Sequence, residues 1–263
     1  MIEQFFPRSS GRSPGRRLCL TADVEHYSGL DTRAQSAVQA DLVRALDEAA
    51  RRSDLDRTAW DCQPQGDAEF DVLPEDTPEA VLLGPFVQHL VACLRALNAR
   101  AAGPRIRVRL AVDSGVASAA ALGYAGPAPV AVARYVNTGQ LKAALAGIPT
   151  ADLAVIVSDR LYQDVLRSGV PGLDPAQYLR VHVRVKEFVS YAWIRVPGHG
   201  PDELREFTGG PLNPAPSPAG SAAAAAAPAQ YVRHGTAVGR DVHGSVTVGA
   251  AVSPVRPVPR PAG

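Results

Sequence analysis

The sequence predicts an α+β fold in which helices pack against one face of a mainly antiparallel sheet. The chain has 263 residues, of which 46% are hydrophobic and 20% charged, an ordinary composition for a soluble globular protein. Residues 16–199 hold nearly all the large apolar residues, and strand and helix periodicities alternate along them. The resulting order is βαββαβ followed by αβαββ.

The first six elements are predicted at residues 17–23 (strand), 32–52 (helix), 57–65 and 67–73 (hairpin), 76–97 (helix) and 105–112 (strand). Leu18 and Leu20 alternate with other residues as in a strand, whereas the apolar residues of 32–52 recur at helical spacing. The hairpin is predicted to turn at Gln65-Gly66. Asp76 or Thr77 can cap the second helix, and the proline that follows them is tolerated in a first helical turn.

The later elements are predicted at residues 129–145 (helix), 153–157 (strand), 159–167 (helix), and 181–186 and 189–196 (hairpin). The strand at 105–112 alternates strictly, with Ile106 and Val108 on one face and Arg105, Arg107 and Arg109 on the other. It is therefore predicted to be half-buried. Ser158 is predicted to cap the helix that follows it.

Composition divides the rest of the chain. Residues 1–15 are predicted to be disordered, 200–230 to be a Pro/Ala-rich linker, and 253–263 to be a Pro-rich disordered end. The formal net charge of +1 argues against a nucleic-acid partner, and no apolar run approaches the roughly 18 residues of a membrane span. Three cysteines without metal-type spacing, and no signal sequence, favour a cytoplasmic protein with reduced thiols.

Two carboxylates stand at predicted strand ends. Asp23 closes the first strand, and Asp67 follows the hairpin turn. If the first strand lies beside the hairpin, both reach one edge of the sheet, where one or two carboxylates plus phosphates would suit Mg²⁺. Alternatively, each aspartate merely ends a strand or begins a turn.

Four segments in order resemble the successive signatures of class III nucleotidyl (adenylate/guanylate) cyclase catalytic domains: ADVEHYS at 22–28, GDAEF at 66–70, RVRLAVDSG at 107–115, and GYAG at 123–126 with Arg134 in the following helix. The resemblance covers about residues 16–199. It implies a ferredoxin-like βαββαβ sandwich with an extra C-terminal αββ portion. It also implies two Mg²⁺ or Mn²⁺ ions, a nucleoside triphosphate substrate and a homodimer that pairs head to tail.

The resemblance also implies residue roles: metal binding by Asp23 and Asp67, contact with the triphosphate by Val24, Glu25, His26 and Tyr27, base reading by Gln63, charge stabilisation at the α-phosphate by Arg134, and phosphate binding by Lys186. Two positions depart from the family. Gly123 stands where a second base-reading side chain is expected, and Val130 where an asparagine orients the ribose. An exposed helix-face arginine is the alternative interpretation of Arg134.

Two functions remain open from these residues. One is a divergent cyclase-like signalling protein that binds a metal–triphosphate with weak or no activity; the other is an active adenylate- or guanylate-type cyclase. Residues 231–252 alternate valine with small or polar residues and resemble bacterial amyloid signalling motifs, which implies assembly through this tail. A flexible tail without a partner is the alternative.

Overall fold

The computed structural model describes residues 14–100 and 103–209. Its strands are β1 (Gly15–Val24), β2 (Asp61–Pro64), β3 (Ala68–Val72), β4 (Val108–Ala120), β5 (Gly123–Ala125), β6 (Leu153–Ser158), β7 (Leu179–Val185) and β8 (Phe188–Arg195). In this part of the chain they form one sheet in the order β2-β3-β1-β4-β6-β8-β7, with β5 paired to β4. Every neighbouring pair is antiparallel except β4 and β6, which are parallel.

The helices are α1 (Thr32–Arg52), α2 (Glu79–Val81), α3 (Val87–Asn98), α4 (Pro127–Val136), α5 (Gly139–Gly147), α6 (Asp159–Asp164) and α7 (Pro201–Thr208). The first six elements follow the predicted order βαββαβ, and the α+β class is confirmed. The later part departs from the predicted αβαββ, because it includes β5, has two helices in place of one and continues into α7. The helix α1 has the predicted bounds, because its apolar stripe and the side chain of its cap, Asp31, mark the helix clearly.

Helices cover both faces of the sheet, so the prediction that they pack on one face is wrong. Leu18, Leu20 and Ala22 of β1 lie in a core with the apolar residues of α1 and α3. Cys19 faces the opposite way, into a second core that α4, α5 and α7 complete. Leu18 to Leu20 is apolar at every position, which is typical of a strand buried on both faces.

The predicted helix at 129–145 is two helices. The first, α4, ends at Val136, Asn137 departs from helical geometry, and α5 begins after Thr138, its extended N-cap residue. Arg107 supports the end of α5, since its guanidinium donates to the carbonyl oxygens of Leu145 and Ile148. The arginine face of β4 is therefore largely engaged with the protein rather than turned to water.

Residues 79–98 are helical throughout, with a π-helical stretch at Leu82–Phe86 that contains Pro85. The cap residue is Pro78, without a side-chain cap bond, so neither Asp76 nor Thr77 caps the helix. By length and composition, Glu79–Asn98 is apolar enough to cross a membrane. Its apolarity has a simpler cause, because Phe86, Leu90 and Leu94 are fully buried in the core.

The structured region continues beyond residue 199, so the predicted boundary there is too early. The helix α7 lies in the segment assigned to the linker, and Leu204 on it is fully buried. The remainder of the predicted linker, the assembly motif at 231–252 and the ends at 1–13 and 253–263 lie outside the described residues.

Candidate functional site

The two aspartates are brought together at one edge of the sheet, as the sequence predicts. Asp23 is the penultimate residue of β1 and pairs with Ala68 of β3, so Asp67 lies immediately beyond it. The backbone N–H of Val24 donates to the carbonyl oxygen of Asp67 at 2.9 Å. Asp23 is buried and Asp67 half-buried. The edge therefore offers two neighbouring carboxylates with different access to solvent.

Asp23 is held by Arg109, the residue opposite it on β4. Arg109 Nε donates to Asp23 Oδ1 at 2.9 Å, and Arg109 Nη2 donates to the same oxygen. No donor in the described residues bonds to Oδ2, so one carboxylate oxygen is left for a ligand. Burial raises the pKa of Asp23, the charge of Asp67 adds to this, and Arg109 opposes it.

The segment from Val24 to Tyr27 has two parts. Val24 and Glu25 are bonded to neighbouring segments, whereas His26 and Tyr27, which we call the open half, have backbone amides without a partner in the described chain. The N–H of Glu25 bonds to Arg107 O at 2.9 Å, and its buried carboxylate accepts from Arg107 Nη1 at 2.6 Å. Together with the bond from Val24, this leaves Val24 and Glu25 no free N–H for a triphosphate, and the contact implied for them stays a prediction. His26 has a left-handed backbone, φ 59°, and the amides of His26 and Tyr27 have no partner in the described chain.

A hydrogen bond network fixes the open half beside Asp67. Gln39 of α1 donates to Tyr27 Oη at 2.7 Å and to the carbonyl oxygen of Gly66 at 2.8 Å. It therefore joins the loop after β1 to the turn that carries Asp67. No pattern in the sequence predicts these contacts of Gln39, because only the folded chain brings its position on α1 next to the turn.

A separate cleft of about 240 Å³ contains the implied base, ribose and phosphate positions. Gln63, Val130 and Arg134 line it, together with Thr21 and Phe70 of the sheet. Thr21 Oγ1 is buried there without a hydrogen bond partner. The polar side chains that line the cleft are thus Thr21, Gln63, Gln65, Tyr124 and Arg134.

Gly123 shapes this cleft instead of reading a ligand. Its φ is +110°, which favours glycine, and a Cβ added to it would lie 2.5 Å from Gln63 Oε1. Gln63 therefore occupies the space that a side chain at position 123 would need. The absence of a side chain at position 123 therefore leaves room for Gln63, the remaining candidate for contact with the base.

Arg134 lies against the turn that carries Lys186. Glu187 in that turn accepts from Arg134 Nη2 at 3.2 Å, and Arg134 Nε is buried without a partner. Lys186 is exposed and has a left-handed backbone, φ 54°. The structure thus places both implied phosphate-binding cations together, with an acid between them.

Asp23 and the cleft lie on one face of the sheet, but the two groups of residues do not form one cavity. Thr21 lines the cleft, and Asp23, two residues further along β1, points to the same face. Neither Asp23 nor Asp67 lines the cleft. We call Asp23, Asp67, His26 and Tyr27 the metal half-site, and Gln63, Val130, Arg134 and Lys186 the nucleoside half-site. Each lacks the groups that the other holds.

Sequence reasoning missed Arg109 as the partner of Asp23. The alternation of the strand at 105–112 placed Arg109 on the face opposite Val108, but strand order was needed to show which residue it meets. The strand that carries Arg109, β4, pairs with β1 on one side and with the parallel strand β6 on the other. The residue pattern of β4 alone does not show which strands lie beside it.

No family model and no curated protein matches the chain. Among solved structures, it is similar to the catalytic core of a rhodopsin-guanylyl cyclase with converted specificity in complex with ATPαS, at 15% identity, 72% coverage of this chain, 99% of that chain and TM-score 0.47. It is also similar to the guanylyl cyclase Cya2, at 11% identity, 72% and 96% coverage and TM-score 0.49. A third is the adenylyl cyclase CyaB from P. aeruginosa, at 11% identity, 70% and 96% coverage and TM-score 0.44. All three are cyclases, the class of enzyme that the sequence motifs resemble.

Proposed function

We propose that the chain binds a complex of a divalent metal with a nucleoside triphosphate between two copies arranged head to tail, and that its cyclase activity is weak. The observation that carries this proposal is the pair of complementary half-sites, of which Asp23 and the cleft lie on one face of the sheet. A two-fold arrangement would set the metal half-site of one copy against the nucleoside half-site of the other. Two equivalent composite sites would result.

The metal half-site suits a hard divalent cation such as Mg²⁺ or Mn²⁺. It offers oxygen atoms from two carboxylates, and Asp23 Oδ2 has no donor among the described residues. Mg²⁺ commonly takes one or two protein carboxylates and completes its shell with phosphates and water. When bound, such a metal supplies charge neutralisation and activation of the attacking hydroxyl.

The chain's own residues would then position the triphosphate. The unpaired amides of His26 and Tyr27 can donate to phosphate oxygens. Lys186 and Arg134 would add positive charge from the nucleoside half-site. Gln63 both donates and accepts hydrogen bonds, so it can contact a purine edge without strong preference between bases.

Two features argue for slow chemistry. Arg109 holds Asp23 in an ion pair. Val130 is 48% exposed in the cleft and offers no hydrogen bond to a ribose. Loss of one transition-state donor costs roughly 10²–10³-fold in rate. The reaction, if the site completes it, is attack of the ribose 3′-oxygen on the α-phosphorus with release of pyrophosphate.

Calorimetry with Mn²⁺ and each of the four nucleoside triphosphates tests the binding. We expect saturable binding in the wild type that Asp67→Ala removes, because one of two metal ligands is lost. Asp76→Ala is the matched control, since Asp76 is an exposed carboxylate outside both half-sites. Equal affinity in the wild type and Asp67→Ala would contradict the proposal.

A product assay tests the chemistry. Incubation with each triphosphate and Mn²⁺, followed by chromatography, should give little cyclic nucleotide and poor discrimination between purines. A turnover above ~10 s⁻¹, the median for enzymes, together with strong preference for one base would show that the residue assignment is wrong.

A further inference from the structure

A second group of metal-type ligands lies under the β2–β3 hairpin, on the face opposite Asp23 and the cleft. Cys62 Sγ and carboxylate oxygens of Glu69 and Asp71 lie within 4.8 Å of one another. Cys62 and Asp71 are directly paired across β2 and β3, and Glu69 is two residues along β3 on the same face. The regular sheet register therefore fixes this cluster.

Asp71 is buried in a manner that a carboxylate rarely tolerates. It is fully buried, its cross-strand neighbours are Cys62 and Leu20, and neither of its oxygens has a hydrogen bond partner among the described residues. A buried charge without a partner is expensive, and native proteins neutralise such groups with a cation, a hydrogen bond network or a proton.

The nearby cation, Arg57, attracts Asp71 through its charge but makes no hydrogen bond to it. Arg57 donates to Glu69 Oε1 and to Asp47, and its Nε is buried without a partner. With Glu69 and Asp71 ionised and Cys62 neutral, the cluster and Arg57 carry a net charge of −1 in a low-dielectric region. One charge therefore remains to be balanced.

We propose that Cys62, Glu69 and Asp71 bind a divalent transition metal of the Zn²⁺ class. On binding, the Cys62 thiol loses its proton to solvent and a metal–sulfur bond forms. Three negative ligands, Arg57 and the dication then sum to zero. The step involves no change of oxidation state.

The ligand types select the metal. A thiolate disfavours Mg²⁺ and Ca²⁺, which prefer oxygen, whereas Zn²⁺ accepts sulfur and carboxylate together. Three protein ligands leave a fourth position for water. A surface cavity of about 600 Å³ is lined by Arg57, which pairs with Glu69 of the cluster, and by Asp47, Asp54 and Asp56.

The proposed site would stabilise the position of β2. This strand lies at the edge of the sheet, and Gln63 follows Cys62 on the face turned to the nucleoside half-site. A metal bridging β2 and β3 would hold that edge in place. The cluster itself does not depend on the proposed nucleotide function, because its ligands lie on the opposite face from Asp23.

Cobalt is the probe for the test, because Co²⁺ replaces Zn²⁺ and a cobalt–thiolate bond absorbs light by charge transfer. The full chain, purified with reductant and stripped with chelator, is titrated with Co²⁺. We expect the thiolate band in the wild type, its displacement by Zn²⁺, and its loss in Cys62→Ser. Asp71→Asn should weaken cobalt binding by at least about 10–100-fold, the range for loss of a supporting partner at a metal site.

Two controls separate this site from the others. Cys93→Ser removes another free thiol and should keep the band. Asp67→Asn, which disables the metal half-site, should also keep it, so failure of one proposal does not imply failure of the other. The proposal is overturned by a wild type without the band, by a band that persists in Cys62→Ser, or by unchanged affinity in Asp71→Asn. In those cases a proton neutralises the cluster, in line with the burial that raises the pKa of Asp71 to about 7.

Discussion

Arg134 and Asp23 reach their half-sites with an ion-pair partner already in place, Glu187 and Arg109 respectively. The two pairs differ in strength. Arg109 and Asp23 are both nearly buried, whereas Glu187 is 78% exposed. An exposed ion pair of this kind contributes little to stability, so a triphosphate can displace Glu187 at little cost.

Replacing Glu187 tests how far it competes with a ligand. Glu187→Gln should tighten triphosphate binding by about two- to fivefold, because a weak competing ion pair is removed. Thermal stability should hardly change. Glu206→Gln makes the same charge change at an exposed glutamate without a described partner and should leave affinity unaltered. Calorimetry on both variants decides, and equal affinities would show that Arg134 does not meet the phosphates.

Asp113 gives a prediction on pH dependence. Burial raises the pKa of this β4 carboxyl above 3.8, although a hydrogen bond with Ser158 and the Ser114 amide oppose it. The folded state therefore binds the proton more tightly than the unfolded chain, and stability is lost as pH rises above 3.8 and through the folded pKa.

Asp113→Asn should remove this loss. The free energy of unfolding of the variant, relative to wild type, should increase between about pH 4 and about pH 8, by ~1.4 kcal/mol for each unit by which the pKa is raised. Urea denaturation at both pH values measures it. A difference that is constant with pH would mean that Asp113 titrates normally.

At the scale of elements, patterns within one segment predicted the fold well. The bounds of α1 and the order of the first six elements along the chain followed from periodicity. Ser158 caps α6 as predicted, since its side chain accepts a hydrogen bond from the Leu161 amide. The predictions that failed depended on contacts between residues that are far apart in the sequence. Arg107 and Arg109 read as a solvent face because their partners lie on other segments of the chain, and the paired half-sites required the sheet order.

The helix α7 was missed for a related reason. Pro201 and the Pro/Ala-rich sequence after it indicated a linker, but proline is well tolerated in the first turn of a helix. Leu204 is fully buried. The ring of Phe207 packs so closely on Gly147 that a Cβ added to this glycine would lie 2.3 Å from it. Composition averaged over a long segment hides eight residues that pack on a neighbour.

A pair of truncations tests the contribution of α7. A chain ending at residue 199 should have a lower free energy of unfolding than one ending at 209, by at least the ~1.5–3 kcal/mol of burying one leucine. Leu204→Ala in the longer chain should account for much of the difference, since it removes the buried side chain and keeps the helix. Equal stability of the two chains would place α7 outside the cooperative unit.

For the whole molecule, the sequence offers one feature that the described residues do not include. The valine-rich stretch at 231–252 is bounded by prolines and carries little charge, a pattern typical of stacking between copies. A peptide of these residues should form thioflavin-positive fibrils, and Val246→Pro should abolish them by removing a backbone donor. A peptide that stays monomeric at hundreds of micromolar would make the segment a plain tail.

The arrangement of the half-sites has a further consequence for the whole molecule, because a composite site can be rebuilt from two damaged copies. Asp67→Asn disables the metal half-site and Arg134→Ala the nucleoside half-site, so neither variant alone should bind triphosphate well. When the two are mixed, about half of the dimers pair one variant with the other, and each of these holds one intact composite site. Binding should return to about a quarter of the wild-type capacity, measured with a labelled triphosphate and Mn²⁺. A mixture that binds no better than its components would mean that each chain forms its site alone or that the copies do not pair head to tail.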